Sequence, residues 1–188
     1  MAHQQCYFCS AGISPAEQVC PHCSSPLMLR NRYRLLRTLG QGGFGVVYEA
    51  MDVQQAQRLC AIKRVVFASL AEKQQIENEA HILQQSAPLF RFVPDLYDFW
   101  SDATNTFLVM ECIAGPTLDQ TSLPWPPGEV EQFLRTLLHY LENLHATSTI
   151  HRDLKPWNIK QTPQGRYVLL DFGIAKQGNG TLTNARGI

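Results

Sequence analysis

The chain has 188 residues, 16 Lys+Arg balanced by 16 Asp+Glu, and a hydrophobic content of 45%. That length allows one or two domains with a real core, and that composition excludes global disorder. Zero net charge gives no bulk attraction to nucleic acid, so no nucleic-acid partner is expected, and no apolar run reaches the roughly 18–20 residues of a membrane span. The opening MAHQQCYFCS has neither a basic nor an apolar signal region, which points to a cytoplasmic chain.

Four of the six cysteines fall within the first 23 residues: Cys6, Cys9, Cys20 and Cys23, two C-x2-C pairs separated by ten residues. Two-residue spacing turns both thiolates of a pair toward one ion, and two such pairs supply the four soft ligands of a closed tetrahedral Zn2+ site. Disulfides would use the same residues but belong to an oxidising compartment, and a redox C-x-x-C would be a single motif. Four cysteine ligands leave no open position, so the expected metal is structural. Residues 1–27 resemble a small zinc ribbon, whose partner, if it has one, the sequence does not name. Cys60 and Cys112 stand in apolar surroundings and are expected to be buried, inert thiols.

A different pattern begins near Tyr33. YRLLRTL reads as a strand, followed by the glycines of GQGGFG, a second strand VVYEAM, a polar turn, and a third strand RLCAIKRVV. Ser69 to Glu72 forms a capping box, and Ile76, Ala80 and Leu83 then repeat at helical spacing. DLYDFW and TFLVMEC read as two further strands. After the prolines at 124, 126 and 127, Val130 to Leu144 reads as a long amphipathic helix. HRDLKPWN, a strand YVLLDFG and a polar tail complete the chain.

Gly40-x-Gly42-x-x-Gly45 is a weak signal alone, since dinucleotide folds use the same spacing. There, however, the glycines open a helix, whereas here Val46-Val47-Tyr48 continues as a strand. The glycines therefore form a hairpin, in which absent side chains let backbone amides approach phosphates. With Lys63 in Ala-Ile-Lys, His151-Arg152-Asp153 through Asn158, and Asp171-Phe172-Gly173, the ordered set resembles the eukaryotic-type protein kinases. Asp-Leu-Lys-Pro at 153–156 is similar to the Ser/Thr branch, as found in bacteria.

The resemblance implies an α+β protein-kinase-like fold: an antiparallel five-stranded small lobe at about 30–113 and a helical large lobe opening at about 114–188. It also implies ATP, Mg2+ and a protein Ser/Thr hydroxyl as partners. Gly40, Gln41, Gly42, Gly43, Phe44 and Gly45 would cover the ATP phosphates, and Lys63 would neutralise them while pairing with Glu79, which fits the pattern better than Glu77. Val47 and Ala61 would roof the base, Met110 would be the gatekeeper, and Glu111 and Cys112 would offer backbone groups to the adenine. Asp153 would accept the proton of the attacking hydroxyl, Lys155 would attend the transferring phosphoryl group, and Asn158 and Asp171 would bind Mg2+. His151 is expected to be scaffold, and Thr181 and Thr183 are candidate phosphoacceptors.

Three features depart from the pattern. Lys160 falls where the family has an aliphatic residue beneath the adenine, and its ammonium is expected to reach solvent. Trp157 is bulky for its place. The chain also stops inside the activation segment, before the family's Ala-Pro-Glu motif, so 30–188 is read as an incomplete kinase domain with an exposed leucine stripe on its long helix. The function expected is γ-phosphoryl transfer from ATP to protein Ser/Thr. The alternatives are an ATP-binding pseudokinase or scaffold, and a zinc-ribbon interaction module without phosphotransfer.

Overall fold

Burial alternates at the start of Tyr33–Gly42 and along Gly45–Asp52, whereas Arg58–Val66 and Asn105–Glu111 are buried almost continuously at their centres. In the computed structural model, which describes residues 4–6, 9, 11–14, 16–42, 45–122, 124–172 and 176–177, the chain divides into two compact units. The first comprises Met1–Lys73 and Leu96–Cys112; the second comprises Gln74–Asp95 and Ile113–Ile188.

In the first unit, β1 (Gln4–Gln5) and β2 (Gly12–Ile13) form a small ladder. A six-stranded antiparallel sheet follows, built from β3 (Met28–Leu29), β4 (Tyr33–Gly42), β5 (Gly45–Asp52), β6 (Arg58–Val66), β7 (Leu96–Ser101) and β8 (Asn105–Glu111). Its spatial order is β3-β4-β5-β6-β8-β7. The five strands expected of the small lobe are all present, and β3 adds a sixth at the edge. Directly opposed residues share a sheet face. The pairs Tyr48↔Ile62, Ala50↔Cys60 and Ile62↔Val109 therefore gather one face into a core with Tyr33, Leu35 and Phe107. Trp100 stacks on both Tyr33 and Phe107, with centroids 5.7 and 4.9 Å away.

The ribbon is joined to this sheet through the backbone. Leu27, fully buried with Cys6, Ile13 and Cys20, takes a hydrogen bond from the Leu35 amide at 3.0 Å, and β3 pairs with the start of β4. Arg34 Nη1 also donates to the Glu17 carbonyl at 3.2 Å. At the same end of the sheet Asp52 is completely buried. Arg32 grips it with two donors, Nε to Oδ1 at 2.9 Å and Nη2 to Oδ2 at 2.8 Å, and Arg58 stands 3.5 Å away. The Arg32 bonds hold the Asp52 carboxyl below the usual carboxylate range.

Helix α1 (Leu70–Ser86) opens on the expected cap: Ser69 Oγ accepts from the Glu72 amide at 3.2 Å, while the Glu72 carboxylate accepts from the Ala68 amide. Ile76, Ala80 and Leu83 are buried, as their spacing requires. In the second unit α2 (Pro127–Ala146) starts with proline at its first turn, where no amide partner is lost. Tyr140 of α2 stacks on Phe92 at 4.0 Å, and Phe133 meets Trp125 and Tyr167 edge-on. Only Leu144 of the helix is fully buried, and Val130, Leu134 and Leu138 are exposed, as the sequence reading expects. Short strands complete the unit: β9 (Thr149–Ile150) pairs with β12 (Lys176–Gln177), and β10 (Ile159–Gln161) pairs with β11 (Tyr167–Leu169).

Replacing Arg32 by Met leaves a buried carboxylate with its strongest partner gone, which should lower unfolding stability by about 3 kcal/mol in urea titration. A loss below about 1 kcal/mol would show that Arg58 and the Gln54 amide satisfy Asp52 without Arg32.

Candidate functional site

The register that builds the core also selects what lies on the opposite face of the sheet. Val47 pairs with Lys63, Lys63 with Leu108, and Ala61 with Met110, so these residues share the face turned away from Tyr48 and Ile62. Lys63 is only 6% exposed there. On α1, Glu79 is 2% exposed whereas Glu77 is half-buried. Glu111 ends β8, and Cys112, which follows it, is half-buried, more open than its sequence surroundings suggested. Cys60 is fully buried, and burial pushes its thiol up to about 11.

The glycine hairpin divides into two kinds of position. Gly42 pairs with Gly45 at its end, and Gly43 and Phe44 lie outside the described residues. Gly45 has φ +110°, and a Cβ on it would stand 2.1 Å from the Arg64 carbonyl oxygen. Its lack of a side chain is therefore demanded by the neighbouring strand. At Gly40 and Gly42 a Cβ would meet nothing within 4 Å, so the space beside them is open. Alanine at 45 should cost at least ~2 kcal/mol of stability by denaturant titration, and alanine at 40 much less. Equal costs would contradict this division.

The second unit holds a tightly tied polar loop. His151 is 1% exposed, its ring 4.6 Å from that of Phe172. Nε2 donates to the Leu170 carbonyl at 3.0 Å, and Nδ1 accepts from the Asp153 amide at 3.3 Å. Those two bonds require the neutral Nε2–H tautomer, and burial lowers the imidazole pKa in the same sense. Asn158, also buried, donates its amide to the Asp153 carbonyl oxygen and to Asp153 Oδ2, both at 2.9 Å. With both partners acceptors, Nδ2 must face them, and Asn158 Oδ1 is turned elsewhere. Lys155 Nζ reaches the same Asp153 Oδ2 at 2.5 Å, leaving Asp153 Oδ1 without a partner among the described residues.

Leu170 is fastened on both sides: its carbonyl accepts from His151, and its amide donates to the Asn158 carbonyl at 2.8 Å. Asp171, the next residue, takes φ 59°, a left-handed conformation rare outside glycine, and Arg152 takes φ 65°. Such backbone persists where the surroundings over-determine it, and here it flanks the polar loop. Gly173, Thr181 and Thr183 lie outside the described residues. Trp157 is exposed, with Lys155 Nζ 5.6 Å from its ring centre. Lys160 corrects the sequence expectation: its ammonium does not run to solvent but donates to the Ile113 carbonyl at 2.8 Å. The backbone anchors Leu170 and Ile113 carry no side-chain signal, which is why sequence reasoning passed over them.

In the ribbon, the Sγ atoms of Cys6, Cys9, Cys20 and Cys23 all lie within 4.8 Å of one another. The Cys6–Cys23 and Cys9–Cys20 separations are both 3.6 Å. Four Zn–S bonds of about 2.3 Å in a tetrahedron set sulfur atoms ~3.8 Å apart, so both donor chemistry and spacing fit a tetrathiolate metal.

The depressed His151 pKa has a testable sign. Below the unfolded value of 6.5 the unfolded chain binds the proton that the folded imidazole resists, so stability falls as pH drops through that value. The melting temperature should decline between pH 7 and 5.5, with a shallower slope in His151→Gln; equal slopes would contradict the assignment.

The protein kinase domain model matches residues 33–186. Among curated relatives, Serine/threonine-protein kinase C of Synechocystis is 36% identical over 85% of this chain and 32% of its own length. Serine/threonine-protein kinase PknA of Nostoc is 34% identical over 85% of the chain and 30% of its length. Serine/threonine-protein kinase pkn2 of Myxococcus xanthus is 37% identical over 80% and 19%. The chain thus spans about a third or less of the length of these relatives. Among the described residues no helix is long and apolar enough to cross a membrane. The chain belongs to the protein kinase family.

Proposed function

We propose that this chain carries the machinery for transferring the γ-phosphoryl group of ATP to a Ser or Thr hydroxyl of a protein, in the cytoplasm. The observation that carries the reading is the loop around Asp153. One carboxylate oxygen is held by Lys155 and Asn158 and the other has no partner among the described residues, which suits a base that must receive a hydroxyl proton in a fixed direction. In the step proposed, the substrate oxygen forms its bond to the γ-phosphorus as the bond to the ADP oxygen breaks, and the hydroxyl proton passes to Asp153. Lys155, beside Asp153, offsets charge on the transferring group.

Family membership implies ATP and Mg2+. Asn158 Oδ1, freed by the commitment of its amide nitrogen, and the Asp171 carboxylate are hard oxygen donors of the type Mg2+ takes. Bound Mg2+ would neutralise the phosphate oxygens. On the sheet face shared with Val47, Ala61 and Met110, Lys63 would take the α- and β-phosphates. Of the two α1 glutamates, the buried Glu79 would be the carboxylate that the family pattern calls for. The open space beside Gly40 and Gly42 would admit phosphates, with Gln41, Gly43, Phe44 and Gly45 in the same hairpin. Glu111 and Cys112 would present backbone groups to the base. The four cysteines would hold a structural Zn2+.

Incubating the chain with Mg-ATP and a generic Ser/Thr-rich acceptor protein, then measuring intact masses, tests the reading. Phosphoryl gains with the wild type and a loss of at least about a hundredfold in Asp153→Asn are expected. Equal gains in both would remove Asp153 from the mechanism.

A further inference from the structure

A cavity of about 420 Å³ lies between the ribbon and the core face of the sheet, wholly within the first unit. Pro26 and Leu29 line it from the ribbon side, and Leu35 and Phe107 from β4 and β8. The ribbon wall is fixed to the second cysteine pair: the Ser25 carbonyl accepts from the Cys20 amide at 2.9 Å, and Val19 bridges Pro26. Small-molecule pockets have this size, roughly 300–1,000 Å³, with mostly apolar walls and a few placed polar groups.

The charged side chains lining the cavity are Arg64 and Asp102. Asp102 is engaged by its own turn. Its Oδ1 accepts from the Thr104 and Asn105 amides at 2.9 and 2.7 Å, and its Oδ2 from Asn105 Nδ2 at 3.2 Å. Asn105 Oδ1 in turn accepts from Arg64 Nε at 2.8 Å, which holds the half-buried guanidinium in place. The two NH2 groups of Arg64 have no partner among the described residues. Arg64 pairs with Phe107 and lies two residues beyond Ile62 in β6, so it stands on the face opposite Lys63. An open guanidinium fork beside an apolar floor matches a planar carboxylate with an apolar body. With the Asp102 charge in the same lining, a monoanion is favoured over a phosphate dianion. We propose that this cavity binds an apolar monocarboxylate, its carboxylate on Arg64 and its chain against Leu29, Leu35 and Phe107. Such a ligand would touch ribbon and sheet together, at a site separate from the proposed nucleotide face.

Decanoate is the probe, titrated by calorimetry into the full chain, with decylammonium as a ligand of the same body and opposite charge. Decanoate should bind with a Kd below about 1 mM and at least about tenfold more tightly than decylammonium. Arg64→Met keeps the stem and removes the fork, and should weaken decanoate by about tenfold or more. The comparison of the two ligands needs no variant to fold. Equal binding of both would mean uptake by apolar surface alone, and tighter decylammonium would give the site to Asp102; either result overturns the inference. So does an absence of decanoate binding at about 1 mM, or an undiminished affinity in Arg64→Met. A chain that takes decanoate but not Mg-ATP would sink the nucleotide reading and leave this site standing.

Discussion

The register of β5, β6 and β8 is the constraint on which the rest depends. Side chains alternate across a strand, so a slip of one residue would send Lys63 into the apolar core and turn Ile62 to the other face. The register is secured by what it buries: Tyr48, Ala50, Cys60, Ile62 and Val109 gather on one side only when Val47, Ala61, Lys63 and Met110 gather on the other. Hydrophobic burial thus selects a single arrangement, and the polar face follows from it without separate specification. The ladder Tyr33–Trp100–Phe107 and the buried Asp52 with its arginines hold the outer strands to the same frame.

The loop of the second unit is organised on a different principle. Its core is a neutral histidine and an asparagine, both buried, whose bonds run mainly to backbone atoms. Main-chain partners do not change with neighbouring side chains, so His151 and Asn158 fix the loop's shape while Asp153, Lys155 and Asp171 are only half-buried. A charged His151 would break this arrangement by setting a second N–H against the Asp153 amide. The scaffold therefore requires the neutral form, which its burial enforces.

Much of this was legible in the sequence because the signals are local. The run RLCAIKRVV after a polar turn delimits Arg58–Val66, Ser69 and Glu72 announce the start of α1, and proline and leucine spacing set α2. The clustered C-x2-C pairs likewise locate four sulfurs that converge. What stayed hidden rests on pairings distant in the chain. Met28–Leu29 is too short to show periodicity and becomes a strand only because β4 offers an edge. The burial of Asp52 depends on Arg32, twenty residues away, and the ammonium of Lys160 finds a carbonyl forty-seven residues back. Gly45 reads as part of a phosphate loop, yet the Arg64 backbone is what excludes its side chain. Side-chain identity carries no mark of such contacts.

The sheet face carrying Lys63 is the proposed nucleotide face. Calorimetry of Mg-ATP binding to the full chain and to Lys63→Met tests it most directly, because methionine keeps the apolar stem and removes the ammonium. Measurable binding is expected in the wild type and an affinity at least about tenfold weaker in the variant, each chain measured below its own melting transition. Equal affinities in the two chains would contradict it.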